Sequence, residues 1–203
     1  MKSFIALLAA TAAIATALLL SSCSSPAPDG HEHGSGSSTA GAQAQPAQSN
    51  AADVAFATDM IPHHQQAVAM SGLVPDRSTD PAVIKLASEI SAAQGPEIET
   101  MKAFLVQWSA GQDASREGHG GTMEGMQMPG MVDDVTMTKL ASLKGVEFDR
   151  LFLQSMIGHH EGAISMANTE IADGVNADAK TLAKQIVTAQ QAEIGHMKQM
   201  LGE

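Results

Sequence analysis

Apolar residues between positions 53 and 105 recur at spacings of three, four and seven, and the same pattern returns between 149 and 201. Such spacings lay one apolar stripe along an α-helix. The two stretches align without a gap at a constant offset, 149 − 53 = 96. One block of identities pairs Asp53, Phe56, Met60, Ile61, His63, His64, Ala67 and Met70 with Asp149, Phe152, Met156, Ile157, His159, His160, Ala163 and Met166. A second pairs Leu86, Ala87, Ile90, Ala93, Gln94, Glu97, Ile98, Met101, Lys102 and Leu105 with Leu182, Ala183, Ile186, Ala189, Gln190, Glu193, Ile194, Met197, Lys198 and Leu201. Positions 71–85 share nothing with their counterparts, so each repeat reads as a helix, a turn and a second helix. Turn signals agree: "VPDRSTDP" at 74–81 offers Asp80 as N-cap and Pro81 as first helical residue, and "DGVNAD" at 173–178 supplies Gly and Asn. Pro62 and Pro96 sit at first-turn positions or at kinks. Two αα-hairpins with matched stripes predict an all-α, antiparallel four-helix bundle with a pseudo-two-fold axis.

The flanks do not continue this pattern. The opening "MKSFIALLAATAAIATALLLSSC" has a lysine, an apolar run and small residues before a cysteine, which is the layout of a secretory signal. Its "LSSC" ending resembles a bacterial lipobox, which makes Cys23 the lipidated residue; the alternative is an uncleaved signal-anchor helix with Cys23 incidental. Residues 1–22 are then a lipoprotein signal peptide and 23–50 a disordered tether rich in Ser, Gly, Ala, Pro and Gln. The tether's His31, Glu32 and His33 are either a loose metal site or part of a solvated linker. The folded domain spans 51–203, with hairpins at 51–108 and 135–203 and a Met/Gly-rich connector at 109–134. A short extra helix is expected at 135–144, leading into the third long one.

Aromatic residues make up only 3% of the 203-residue chain against 13 methionines, so the core must be filled by Ala, Leu, Ile, Val and Met. With Cys23 the sole cysteine, neither a disulfide nor a thiolate metal site is available. A formal net charge of −11 repels nucleic acid.

The duplicated polar residues carry the chemistry. Asp, His, His, Gln and Glu recur on or beside the inward stripes, where a polar group lacking a partner costs about 1 to 3 kcal/mol. In one explanation Asp53, Glu97, Asp149 and Glu193 accept hydrogen bonds from His63, His64, His159 and His160, forming a buried network that fixes the bundle's register. In the other, these histidines bind a metal together with Glu97, Glu193, His196 and the methionines Met60, Met70, Met101, Met156, Met166 and Met197. Thioether sulfur is a soft ligand that suits Cu(I), and imidazole suits Cu(I), Cu(II) and zinc alike. The connector's Met123, Met126, Met128 and Met131, with His119 nearby, lie among Gly and Pro where no helical face needs filling. Their spacing resembles the methionine motifs of bacterial copper-handling proteins. A ferritin-type di-iron site needs Glu-x-x-His on two helices. Glu193 and His196 supply it once, but Thr100 stands at the equivalent of His196. No catalytic triad, phosphate loop or further reactive group supports an enzyme.

"FATDMIPHHQQAVAM" and "EFDRLFLQSMIGHHEGAISMA", each followed by a Q-x-x-E-I-x-x-M block, resemble the bacterial domain-of-unknown-function family 305 over about residues 50 to 201. The resemblance implies an exported, ferritin-like helical protein with a role in copper binding and tolerance, and places His63, His64, His159 and His160 at matching positions. The combined expectation is a non-enzymatic copper-binding lipoprotein that sequesters or transfers copper, Cu(I) above Cu(II) or zinc. It is held by lipid at the outer face of the cytoplasmic membrane or in the cell envelope, with a copper exporter, chaperone or oxidase as partner. The alternative is a helical scaffold or partner-binding lipoprotein without metal.

Overall fold

A computed structural model describes residues 48–112 and 128–203. The signal, Cys23, the tether to residue 47, and His119, Met123 and Met126 lie outside the described residues. Five α-helices follow one another: α1 (Ala51–Leu73), α2 (Pro81–Gln112), α3 (Asp134–Ser142), α4 (Gly145–Asp173) and α5 (Ala177–Leu201), with one 3₁₀ turn (Val74–Asp76) after α1. The expected all-α bundle of paired hairpins is present. α1 packs on α2 and α4 on α5; the hairpins meet along α1 and α4, whereas α2 and α5 barely touch. Among the described residues no helix is long and apolar enough to cross a membrane.

Local chemistry explains the boundaries. Asn50 starts α1 with a capping box: its side chain accepts from the Ala52 and Asp53 N–H groups at 2.9 and 3.0 Å, and Asp53 accepts from the Asn50 N–H at 2.6 Å. Asp80 caps α2 through the Ala82 N–H at 2.8 Å, and Asn176 caps α5 through Asp178 and Ala179. Gly202, at φ 81°, ends α5 in the left-handed conformation. α2 runs four residues past the expected connector boundary, to Gln112. Of the two placements open for Pro62 and Pro96 the first turn is excluded: both lie well inside α1 and α2, each removing one backbone bond from its helix.

Two apolar clusters fill the bundle. Met70, Val74, Leu86, Ile90, Phe148, Phe152, Met156 and Met197 belong to one. Phe56, Met60, Met101, Trp108, Ala163, Leu182 and Ile186 belong to the other. Along both α1 and α4 the histidine pairs fall between these clusters, so the polar centre is sealed from either end by packed hydrocarbon.

Candidate metal centre

Helical phase places all four histidines inside. His63 and His64 of α1 and His159 and His160 of α4 are fully buried. Adjacent residues on a helix point about 100° apart, so each His-His pair divides its work. His64 and His160 turn toward the second helix of their own hairpin: His64 Nε2 is 2.8 Å from Glu97 Oε2, and His160 Nε2 is 2.6 Å from Glu193 Oε2. His63 and His159 turn toward each other, with ring centroids 3.8 Å apart and planes tilted by 38°.

The partners set the tautomers. His63 Nε2 lies 3.0 Å from the Pro129 carbonyl, which only accepts, so that nitrogen carries the proton and donates. The Nε2 atoms of His64 and His160 donate in the same way to carboxylates. The Nδ1 atoms of all four rings are buried with no hydrogen-bond partner among the described residues, and His159 Nε2 is likewise unpartnered. Gln94 and Gln190, one turn before Glu97 and Glu193, are also buried with unpartnered side-chain atoms. Burial pushes the pKa of His63 down to about 4 despite the Pro129 bond, and burial together with His63 and the other histidines takes His159 to about 2. Both rings are therefore neutral at physiological pH, the form that binds metal ions.

The end of the connector covers this centre. Pro129 and Gly130 cross α4 where Gly162 presents no side chain, and Gly130 adopts φ 79° against the backbone of Gly158 and Gly162. A Cβ at Gly162 would stand 2.0 Å from the Pro129 oxygen. On the α1 side Gln66 grips the same segment: its Nε2 donates to the Val132 carbonyl at 2.7 Å, and the Val132 N–H donates to its Oε1 at 2.8 Å. The offset of 96 makes Gln66 and Gly162 counterparts, one holding the strap and the other making room for it.

The remaining candidates separate. Met60 and Met101 fill one apolar cluster, Met70, Met156 and Met197 the other, and Met166 is partly buried against the first of these. Met128 and Met131 flank the strap, half-buried. His196 is exposed on the outside of α5 and is not brought to the centre. The expected network is half realised: Glu97 and Glu193 hold histidines, but Asp53 binds the Asn50, Val175 and Asn176 N–H groups, and Asp149 lies by Asp80 and Arg150 with one buried oxygen unpartnered. Among the described residues no three His, Asp or Glu side chains gather around one point. Sequence reasoning missed the strap contacts of Gln66, Pro129 and Gly162; the signal was the break in the repeat at 66/162, where "PHHQQ" becomes "GHHEG".

Comparison with known proteins places the chain. A DUF305 protein of Streptomyces coelicolor, described as secreted, is 35% identical over 74% of this chain and 92% of that one, with a TM-score of 0.66. CopM in its Cu(I)-bound form is 30% identical over 73% of this chain and 94% of its own, with a TM-score of 0.57. An uncharacterized protein of Acanthamoeba polyphaga mimivirus is 38% identical over 53 residues, so the match spans about a third of that relative, 35% of its length. The family described as "Domain of unknown function (DUF305)" matches residues 53–201, both hairpins and the strap between them, and the chain belongs to that family.

Proposed function

We propose that the protein is an exported, lipid-anchored copper-binding protein that sequesters or hands on copper and catalyses no reaction. The observation that carries this reading is the His63/His159 pair: two buried, neutral imidazoles in contact, with three of their four ring nitrogens unpartnered among the described residues. Donor chemistry fits a soft, low-coordinate ion, since imidazole nitrogens stand without proton competition and thioether-bearing Met60 and Met156 lie one turn before each histidine. Glu97 and Glu193, each held by a histidine Nε2, would orient His64 and His160 and raise the basicity of their free Nδ1 atoms. Met128 and Met131, with Met123, Met126 and His119 of the connector, would form a second, more accessible set. Similarity to CopM, known in Cu(I)-bound and Cu(II)-bound forms, supports copper over zinc. Export rests on the signal-like N-terminus and the secreted relative, and lipidation on Cys23. A copper exporter, chaperone or oxidase is the partner this chemistry calls for.

The test is competition of residues 24–203 against a Cu(I) chelator under reducing conditions, beside Cu(II) and zinc. Replacing His63 and His159 by Phe is expected to weaken Cu(I) binding at the centre; replacing Met123, Met126, Met128 and Met131 by Leu is expected to remove the connector's share with helicity unchanged. Affinity unaltered by both sets overturns the proposal.

The two His–Glu pairs favour a second reading, a metal-free scaffold whose polar centre only fixes register. Thermal melting with and without chelator separates the two, because a ligand bound only by the folded state raises its stability.

A further inference from the structure

At the far end of α4 lies a buried acid that the metal reading does not use. Glu170 is only 1% exposed, and neither carboxyl oxygen has a hydrogen-bond donor among the described residues. Its counterpart in the first hairpin is Val74, buried at the corresponding place in the fold. The bundle therefore fills this position once with a hydrocarbon and once with a carboxyl. Backbone closes over it: a Cβ added to buried Gly174 would stand 2.3 Å from Glu170 Oε1.

A second acid, Asp53, is buried at the same junction, bonded to the two residues that follow Gly174. Asp53, fully buried, receives the N–H groups of Asn50 at 2.6 Å, Val175 at 3.1 Å and Asn176 at 2.9 Å. Burial alone would raise its pKa, but these donors and Glu170 outweigh that and hold it below the ordinary carboxylate value. Asp53 thus stays ionised while tying the first turn of α1 to the loop between α4 and α5. Asn50 Nδ2 to the Asp173 carbonyl, at 2.8 Å, and Asn176 Nδ2 to the Gln48 carbonyl, at 3.1 Å, stitch the same junction. Two carboxylates in contact repel; one carboxylate and one carboxylic acid share a hydrogen bond.

We infer that Glu170 and Asp53 form a proton-locked clamp, in which Glu170 carries the proton and donates it to Asp53, fastening the start of α1 to the α4–α5 turn. Loss of that proton converts the bond into a buried repulsion and loosens the junction between the start of α1 and the α4–α5 turn. The other charged groups at this end are Asp59 on α1, Asp173 on α4 and Lys180 on α5, whose Nζ donates to the Gly174 carbonyl at 3.0 Å. Asp59 adds to the repulsion and Lys180 opposes it.

Burial, then Asp53, raises the Glu170 pKa from 4.5 to about 8. A raised folded-state pKa gives stability that is complete below 4.5, declines as the unfolded chain ionises, and is gone above about 8. Asp53 acts in the opposite sense, its contribution present above 3.8 and lost in acid.

Carboxyl-carbon NMR of the wild-type protein is the direct test. One glutamate signal, assigned to Glu170 by its disappearance in Glu170→Gln, is expected to titrate near 8 rather than with the other carboxylates. Glu170→Gln keeps a donor and Glu170→Val restores the first hairpin's residue, so from pH 4.5 to 8 the melting temperature of the wild type is expected to fall relative to that of either variant. A Glu170 signal titrating in the ordinary carboxylate range, or melting profiles that run parallel in wild type and both variants, overturns the clamp. Should either variant fail to fold, the wild-type carboxyl titration still decides.

Discussion

Replacing Gly162 by Ala tests the strap against the strongest generic expectation, that Ala in a helix interior is better than Gly by about 1 kcal/mol. The added methyl would meet Pro129 O at 2.0 Å, Pro129 C at 2.4 Å and Gly130 Cα at 2.7 Å, all backbone atoms that cannot rotate aside. Displacing the strap would break the His63–Pro129 bond and the two bonds between Gln66 and Val132. At a net of about 0.5 to 1.5 kcal/mol each, these amount to roughly 2 to 4 kcal/mol. Subtracting the helix-propensity gain leaves a net loss of about 1 to 3 kcal/mol. Gly195→Ala in α5 and Gly158→Ala, one turn before Gly162, are the controls: their added methyls meet nothing within 4 Å. Both are expected to be neutral or stabilising by up to about 1 kcal/mol. Urea unfolding followed by far-UV circular dichroism gives all three numbers. A Gly162→Ala protein as stable as the controls would refute the strap geometry.

Metal-free protein should lose stability in acid through its central histidines. His63 is neutral in the fold, with a pKa lowered from 6.5 to about 4, so its contribution is complete above 6.5 and falls as the pH drops through that window, on the order of 3 kcal/mol at the limit. His159 extends the loss to lower pH, the two titrating as a pair; denaturant melts at pH 7 and pH 5 of the Glu170→Gln variant, which removes the opposing glutamate contribution, check the sign, and equal stability at both removes the effect. Glu193→Ala leaves the His160 Nε2 of a fully buried ring without its acceptor and should destabilise by roughly 1 to 3 kcal/mol, with Glu97→Ala alike by the pseudo-two-fold. Met60→Leu and Met156→Leu conserve volume in the two clusters and should cost less than about 1.5 kcal/mol; a fall in Cu(I) affinity without a larger loss of stability would mark them as ligands.

The fold was legible because duplication writes it twice. A gap-free repeat of helical period gave the two hairpins, and Asp80 with Pro81 marked the start of α2 where the structure has it. The four histidines lie inside as expected, and Glu97 and Glu193, half-buried, hold two of them. Sequence could not say which histidine of each pair faces its own hairpin and which faces the other, because a 100° step puts both within one broad stripe. Asp53 and Asp149 were assigned to the histidines on stripe membership alone. They lie near the helix starts, about ten residues before the His pairs and so some 15 Å along the axis, and Asp53 instead binds backbone N–H groups at its end of the bundle.

What the repeat does not share is as informative as what it does. Identity between the halves preserves the histidines, the glutamates that hold two of them, the buried glutamines one turn before those glutamates, and methionines of the two apolar clusters. A strictly symmetric chain, however, could not use its connector, since one strap crossing the axis meets two different helices. Gln66 and Gly162 answer that requirement from equivalent positions, one by gripping backbone and the other by yielding space. Only one of the two facing histidines is bonded by the strap, and it is His63, leaving His159 with both ring nitrogens unpartnered among the described residues. Val74 and Glu170 diverge in the same way at a second pair of equivalent positions, one filled by a buried hydrocarbon and the other by a buried acid. Symmetry brings the four histidines together, and each departure from it distinguishes one half from the other.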